Sequence, residues 1–92
     1  MNWGEVELES EVDEWFDSLD QDDQETVAFY VDLLAERGVL LGEPYTRQLH
    51  GKLRELRFHL ARDAVRITYW VGSDRRIILA DGFPEAENAG DR

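Results

Sequence analysis

Leu53-Arg54-Glu55-Leu56-Arg57-Phe58-His59-Leu60, followed by Val65-Arg66-Ile67-Thr68-Tyr69-Trp70-Val71, decides how the rest of this chain is read. In the first run Leu56, Phe58 and Leu60 fall on one side and Glu55, Arg57 and His59 on the other. In the second, Val65, Ile67, Tyr69 and Val71 alternate with Arg66, Thr68 and Trp70. A period of two is the signature of a strand with one buried and one wet face, so both runs are expected strands of a half-buried sheet. Arg62 and Asp63 supply the turn between them, and Gly72-Ser73-Asp74 supplies a hairpin turn into a further strand over residues 76 to 80.

Working outward, Trp3, Val6 and Leu8 alternate with Glu5, Glu7 and Glu9, which predicts a short first strand. Ser10 with Asp13 resembles an N-cap and acidic first turn, and Val12, Trp15, Phe16 and Leu19 follow at helical spacing. Asp20 with Asp23 repeats the capping signal, and the stripe Val27, Val31 and Leu34 closes at Arg37 and Gly38. Two helices paired as a hairpin are expected over residues 11 to 19 and 20 to 37. Residues 38 to 51, with three glycines and Pro44, read as an irregular connection. The expected fold is α+β, in the order β-α-α-β-β-β. Its two N-terminal helices pack on one face of a four-stranded, mainly antiparallel sheet and leave the opposite face at least partly open. Residues 1 to 83 make a single domain and residues 84 to 92 a flexible acidic tail.

Composition narrows the function classes. The chain has 92 residues and no cysteine, which excludes disulfides, cysteine nucleophiles and thiolate metal sites. His50 and His59 lack metal-ligand spacing, so neither a metal nor another cofactor is expected. No apolar run approaches the roughly 20 residues of a membrane span, and the acidic start does not resemble a signal peptide. A cytoplasmic location with no membrane partner is expected.

The net charge of -11 conceals a sharp division. Residues 1 to 43 hold fourteen acids against Arg37 alone, whereas residues 44 to 83 hold eight basic residues against four acids. An anion-binding surface must come from that second stretch: Arg47, Lys52, Arg54, Arg57, Arg62, Arg66, Arg75 and Arg76. Hairpin pairing could bring Arg57 and Arg66 onto the same open face. Two guanidinium groups there would suit a phosphodiester, because their planar paired donors match phosphate oxygens and can stabilise charge developing on the phosphorus oxygens. Trp70 or Tyr69 could stack on an unpaired base. The competing arrangement is a solvated edge, with the arginines paired to Glu55 and Asp81 and the aromatics in the core.

The ordered set Leu49-His50-Gly51-Lys52-Leu53-Arg54-Glu55-Leu56-Arg57-Phe58, Val65-Arg66-Ile67-Thr68-Tyr69 and Arg76-Ile77-Ile78-Leu79 resembles the central signature of RelE/HigB-type toxins of bacterial toxin-antitoxin pairs, in particular the phage-derived HigB-like branch. Tyr30-Val31-Asp32-Leu33-Leu34-Ala35-Glu36-Arg37-Gly38 fits the same branch. The resemblance implies a RelE/ParE-like fold and metal-independent, ribosome-dependent cleavage of mRNA. It also implies a cognate antitoxin, of the helix-turn-helix type, as partner. Carried onto this chain, the matching positions are Arg57 and Arg66, which would clamp the scissile phosphate, and Lys52, which would add positive field. Beside these matches, His59 is the chain's own candidate for proton transfer, and Arg54, Trp70 and Arg76 are expected, with Lys52, to contact RNA. An antitoxin surface lying across the acidic helices would be basic or apolar, while an acidic antitoxin tail would cover Arg57 and Arg66.

The resemblance weakens at Phe83-Pro84-Glu85-Ala86-Glu87, where members of the branch carry a Phe-x-Lys-Lys or Phe-Arg-Lys-Thr element and a basic helix. Losing cations from a phosphate site lowers binding and transition-state stabilisation together. The alternative expectation is therefore an attenuated or truncated toxin homologue that acts only as an antitoxin-binding module.

Overall fold

A computed structural model describes residues 2 to 61 and 63 to 84, with side-chain surroundings given as far as residue 80. The elements in chain order are β1 (Glu5–Leu8), α1 (Ser10–Asp17), α2 (Gln21–Arg37), a 3-10 turn (Gly38–Leu40), β2 (Thr46–His50), β3 (Leu53–Leu60), β4 (Asp63–Val71), a second 3-10 turn (Ser73–Arg75) and β5 (Arg76–Pro84). The sheet has five strands in the order β1-β5-β4-β3-β2. All neighbours are antiparallel except β1 and β5, which run parallel.

The α+β class and the two helices agree with the sequence reading, but the four-stranded, antiparallel expectation is corrected in two places. Residues 46 to 50 form an edge strand, β2, inside the stretch expected to be an irregular connection. Thr-Arg-Gln-Leu-His has one large apolar residue, so nothing local marks it as a strand; its ladder with β3 makes it one. The first strand returns beside the last one in the same direction, a pairing set by the path of the two helices rather than by any local pattern. The last strand also outruns its expected end at Ala80: Pro84 still stands opposite Val65. Pro84 closes the strand, a position that a residue without an N–H tolerates. Arg62 of the expected turn and residues 85 to 92 of the expected tail lie outside the described residues.

The helix ends follow their sequence signals unevenly. Asp20 caps α2, its carboxylate accepting the Asp23 N–H at 2.9 Å. At α1 the expected cap, Ser10, is instead the first helical residue; Glu9 takes the cap position with no side-chain capping bond. Gly38 ends α2 at φ 54°, and its N–H donates to the Leu34 carbonyl. The helices are tied to each other where Gln24 Nε2 donates to the Phe16 carbonyl at 2.9 Å.

One continuous core results. Val12 of α1 and Val27 and Leu34 of α2 pack against Leu56, Phe58 and Leu60 of β3, Val65, Ile67 and Tyr69 of β4, and Ile77 and Leu79 of β5. These sheet residues are the apolar halves of the alternating patterns, so both helices cover that face. Thr68 stands opposite Asp81 but Tyr69 opposite Leu79, which leaves Ala80 as an extra residue in β5 and kinks the ladder there. The polar half of the pattern forms the other face.

Candidate nucleic-acid interface

Strand register decides which polar side chains meet. Across the β3–β4 ladder Glu55 opposes Thr68, Arg57 opposes Arg66 and His59 opposes Ala64. From the other side, Arg47 of β2 opposes Glu55. The uncovered face thus gathers Arg47, Arg57 and Arg66 around the Glu55 carboxylate.

That carboxylate is buried: Glu55 is only 3% exposed, although it lies on the face away from the helices. Its Oε2 stands 3.9 Å from Arg57 Nε and its Oε1 3.8 Å from Arg66 Nε. At these separations the contacts are electrostatic rather than direct hydrogen bonds. One negative charge set between two directly opposed cations offsets part of their repulsion. The two guanidinium-bearing side chains remain 37% and 41% exposed, so they are open to an anion arriving from solvent.

The remaining expected residues fall into different surroundings. His59 is exposed and lies two positions along β3 from Arg57, on the same face. Trp70 is half-buried on that face, opposite Ile78. Lys52 is exposed in the turn between β2 and β3. Arg54 lies on the helix-covered side, where its Nε donates to Tyr69 Oη at 3.3 Å and its Nη2 to Thr46 Oγ1 at 3.0 Å. Arg76 is held by Glu7 across the β1–β5 pair, through Nε at 2.6 Å and Nη2 at 2.9 Å. This two-pronged contact pulls the Glu7 carboxyl below its usual value and raises Arg76. Tyr69, considered for base stacking, is 2% exposed and belongs to the core.

Two contributors were not singled out from sequence. Glu55 figured only as a surface ion-pair partner; its burial between the arginines follows from the register of three strands. Tyr45 accepts the Arg57 N–H on its carbonyl at 2.8 Å, which continues the β2–β3 ladder past the end of β2 and fixes the backbone of Arg57. Among the described residues no group of three or more His, Cys, Asp or Glu side chains is placed to hold a metal ion. No helix among them is long and apolar enough to cross a membrane.

A family model described as phage-derived protein Gp49-like (DUF891) matches residues 14–87, most of the chain and including Arg47, Glu55, Arg57 and Arg66. The chain belongs to the Gp49-like family. This family is one of toxins of the RelE/HigB type taken broadly, and it is not specific to the HigB-like branch. No curated protein compared with the Gp49-like chain matches it. Family membership makes an antitoxin the partner class of this chain, without saying of which type.

Proposed function

We propose that this Gp49-like chain is the toxin of a type II toxin-antitoxin pair and acts as a ribosome-dependent mRNA endoribonuclease. The observation that carries the proposal is the directly opposed pair Arg57 and Arg66, open to solvent and sharing the buried Glu55, in a chain of this family. Two guanidinium groups side by side hold one phosphodiester through charge-assisted, geometrically defined hydrogen bonds. As the neighbouring 2′-hydroxyl gives up its proton and its oxygen attacks phosphorus, the bond to the next nucleotide's 5′-oxygen breaks and that oxygen takes up a proton, leaving a 2′,3′-cyclic phosphate. Charge grows on the non-bridging oxygens during this step, and donors already fixed in place stabilise it without reorganisation. Removing one such donor typically costs about 100- to 1,000-fold in rate. His59, exposed on the same face, is the candidate for moving a proton to or from the sugar hydroxyls. Lys52, and Trp70 by stacking, extend the contact along the message; Arg76 contributes only if RNA competes with Glu7.

Induced expression in a bacterial host tests the reading. Growth arrest with cuts inside translated messages is the expected result, and the Arg57→Glu, Arg66→Glu double variant should abolish both. Normal growth at verified expression would overturn the active-enzyme reading. It would favour the binding-module alternative suggested by Pro84, Glu85 and Glu87, in a segment where Glu85 and Ala86 replace the two lysines of the branch. A helix-turn-helix protein encoded beside the gene and co-purifying with the chain is the expected antitoxin.

A further inference from the structure

Beside the β2–β3 turn, on the side of the sheet that the helices cover, lies a groove of about 330 Å3 lined by Val39, Gln48, Gly51, Lys52, Arg54 and Val71. We infer that this groove receives an acidic side chain, set between apolar ones, from a protein partner. Arg57 and Arg66 project from the opposite face of the sheet, so this docking is independent of the ribonuclease reading.

The state of Arg54 calls for an anion. Its guanidinium is clamped on one side, where Nε donates to Tyr69 Oη at 3.3 Å and Nη2 to Thr46 Oγ1 at 3.0 Å. Thr46 and Tyr69 are both buried, and the Thr46 hydroxyl is itself fixed by donating to the Leu41 carbonyl at 2.6 Å. These bonds go to neutral oxygens and use two of the five guanidinium donors. Nη1 makes no hydrogen bond among the described residues, and no carboxylate among them pairs with Arg54 or with Lys52 at the rim. The groove therefore holds a cation fixed in direction, with donors left over and a second cation beside it. A carboxylate arriving there gains charge-assisted hydrogen bonds, and little ordering of Arg54 opposes it.

The rim indicates which kind of anion fits. Val39 and Leu40, neighbours in the 3-10 turn that follows α2, are 61% and 80% exposed, and Val71 adds aliphatic surface to the lining. Adjacent aliphatic side chains left in water beside a charged groove suit a partner with apolar side chains of its own. A nucleic acid fits less well. A strand lying along Arg57 and Arg66 would have to pass round the hairpin to reach Arg54, and would meet Val39 and Leu40 there rather than a continued track of cations.

The test follows the Arg54 Nε–H and Val39 methyl signals of the full chain by NMR while three probes are added separately: a blocked Leu-Glu-Leu peptide, its Leu-Gln-Leu counterpart and a six-nucleotide single-stranded RNA. The glutamate peptide should shift both signals and saturate at about millimolar concentration. It should bind about tenfold more tightly than the glutamine peptide. Arg54→Met should remove that preference. Val39→Glu should remove it too, by placing a carboxylate beside Arg54 from an exposed position, so the test stands even where Arg54→Met does not fold. The Arg57→Glu, Arg66→Glu double variant should bind the glutamate peptide as the wild type does; loss of binding there would put the peptide on the other face and overturn the inference. Equal affinity for the two peptides, or saturation by neither, would also overturn it. So would RNA that saturated the Arg54 signal of the double variant more tightly than the glutamate peptide, since nucleic acid would then be the occupant.

Discussion

Arg57 and Arg66 are directly opposed across the β3–β4 ladder, so two guanidinium groups emerge side by side from a face that the helices leave uncovered. Like charges in that relation ordinarily destabilise a sheet by up to about 1 kcal/mol, and here the Glu55 carboxylate between them offsets part of that cost. If both contact phosphate, each should contribute separately to counterion release. For a single-stranded RNA, Arg57→Ala and Arg66→Ala should each reduce the slope of log K against log salt by about 0.7. Each should also weaken binding at low salt by about tenfold, the worth of one charge-assisted hydrogen bond. Titrations at four salt concentrations check this; an unchanged slope would place the phosphates elsewhere.

Arg76 should behave differently, because its two-pronged bond to Glu7 gives it a structural task in the only parallel pair of the described sheet. The Glu7 carboxyl is held below its ordinary value of 4.5. Its contribution to stability is therefore complete above about pH 4.5 and is lost as pH falls through the lowered value. The difference in Tm between wild type and Glu7→Gln should be constant from pH 8 to pH 5 and shrink toward zero in more acid solution. The effect will be small, since both side chains stand in solvent. In salt titrations with RNA, Arg76→Ala should leave the slope close to that of the wild type.

The alternating runs made β3 and β4 legible before any coordinates, because burial on one face imposes its period on every residue there. That same alternation put Arg57 and Arg66 on polar sides whose pairing could then be guessed. What stayed hidden depended on contacts between distant segments. Thr46 to His50 lacks an apolar pattern and is a strand only because β3 offers it a ladder. The parallel return of β1 beside β5 depends on where two helices carry the chain. Glu55 looked like any surface acid of a polar face, and only neighbours from β2 and β4 bury it. Arg54 read as one more cation of the basic stretch, yet its position in the alternation is that of Leu56 and Phe58, and it reaches Thr46 and Tyr69 under the sheet.

Gly38 secures the start of the sheet. Its φ of 54° disfavours any side chain, and a Cβ placed there would fall within the Trp3 ring. Trp3 in turn donates its N–H to the Ala35 carbonyl at 2.9 Å, which anchors the chain entering β1 on the end of α2. Gly38→Ala should cost about 1–3 kcal/mol and lower Tm by about 5 °C or more in a domain of this size. Gly42→Ala is the control, since no atom lies near the added Cβ. Thermal denaturation of the two variants side by side measures the difference; equal Tm values would show that Trp3 moves aside at no cost.

Glu55 offers the sharpest separation of binding from chemistry. Its carboxylate faces both arginines at 3.8–3.9 Å and is nearly inaccessible. On the proposed ribonuclease reading it would act on RNA only through them, as a positioning residue. Glu55→Gln keeps the volume and removes the charge. The local field becomes more positive, so RNA should bind at least as tightly as to the wild type, and a few times more tightly at low salt. The guanidinium groups, however, lose the anion that holds them toward each other, and a small misplacement of donors at a reacting phosphate can cost about 100-fold in rate. Cleavage should therefore fall by one to two orders of magnitude while affinity holds or rises, with stability lowered by up to about 1 kcal/mol through the increased Arg57–Arg66 repulsion. A structural role alone predicts no such split, because loss of folded protein would lower binding and cleavage together. Measuring RNA affinity and single-turnover cleavage on the same preparation decides between them, and Glu55→Asp, which retains the charge, should recover part of the lost rate.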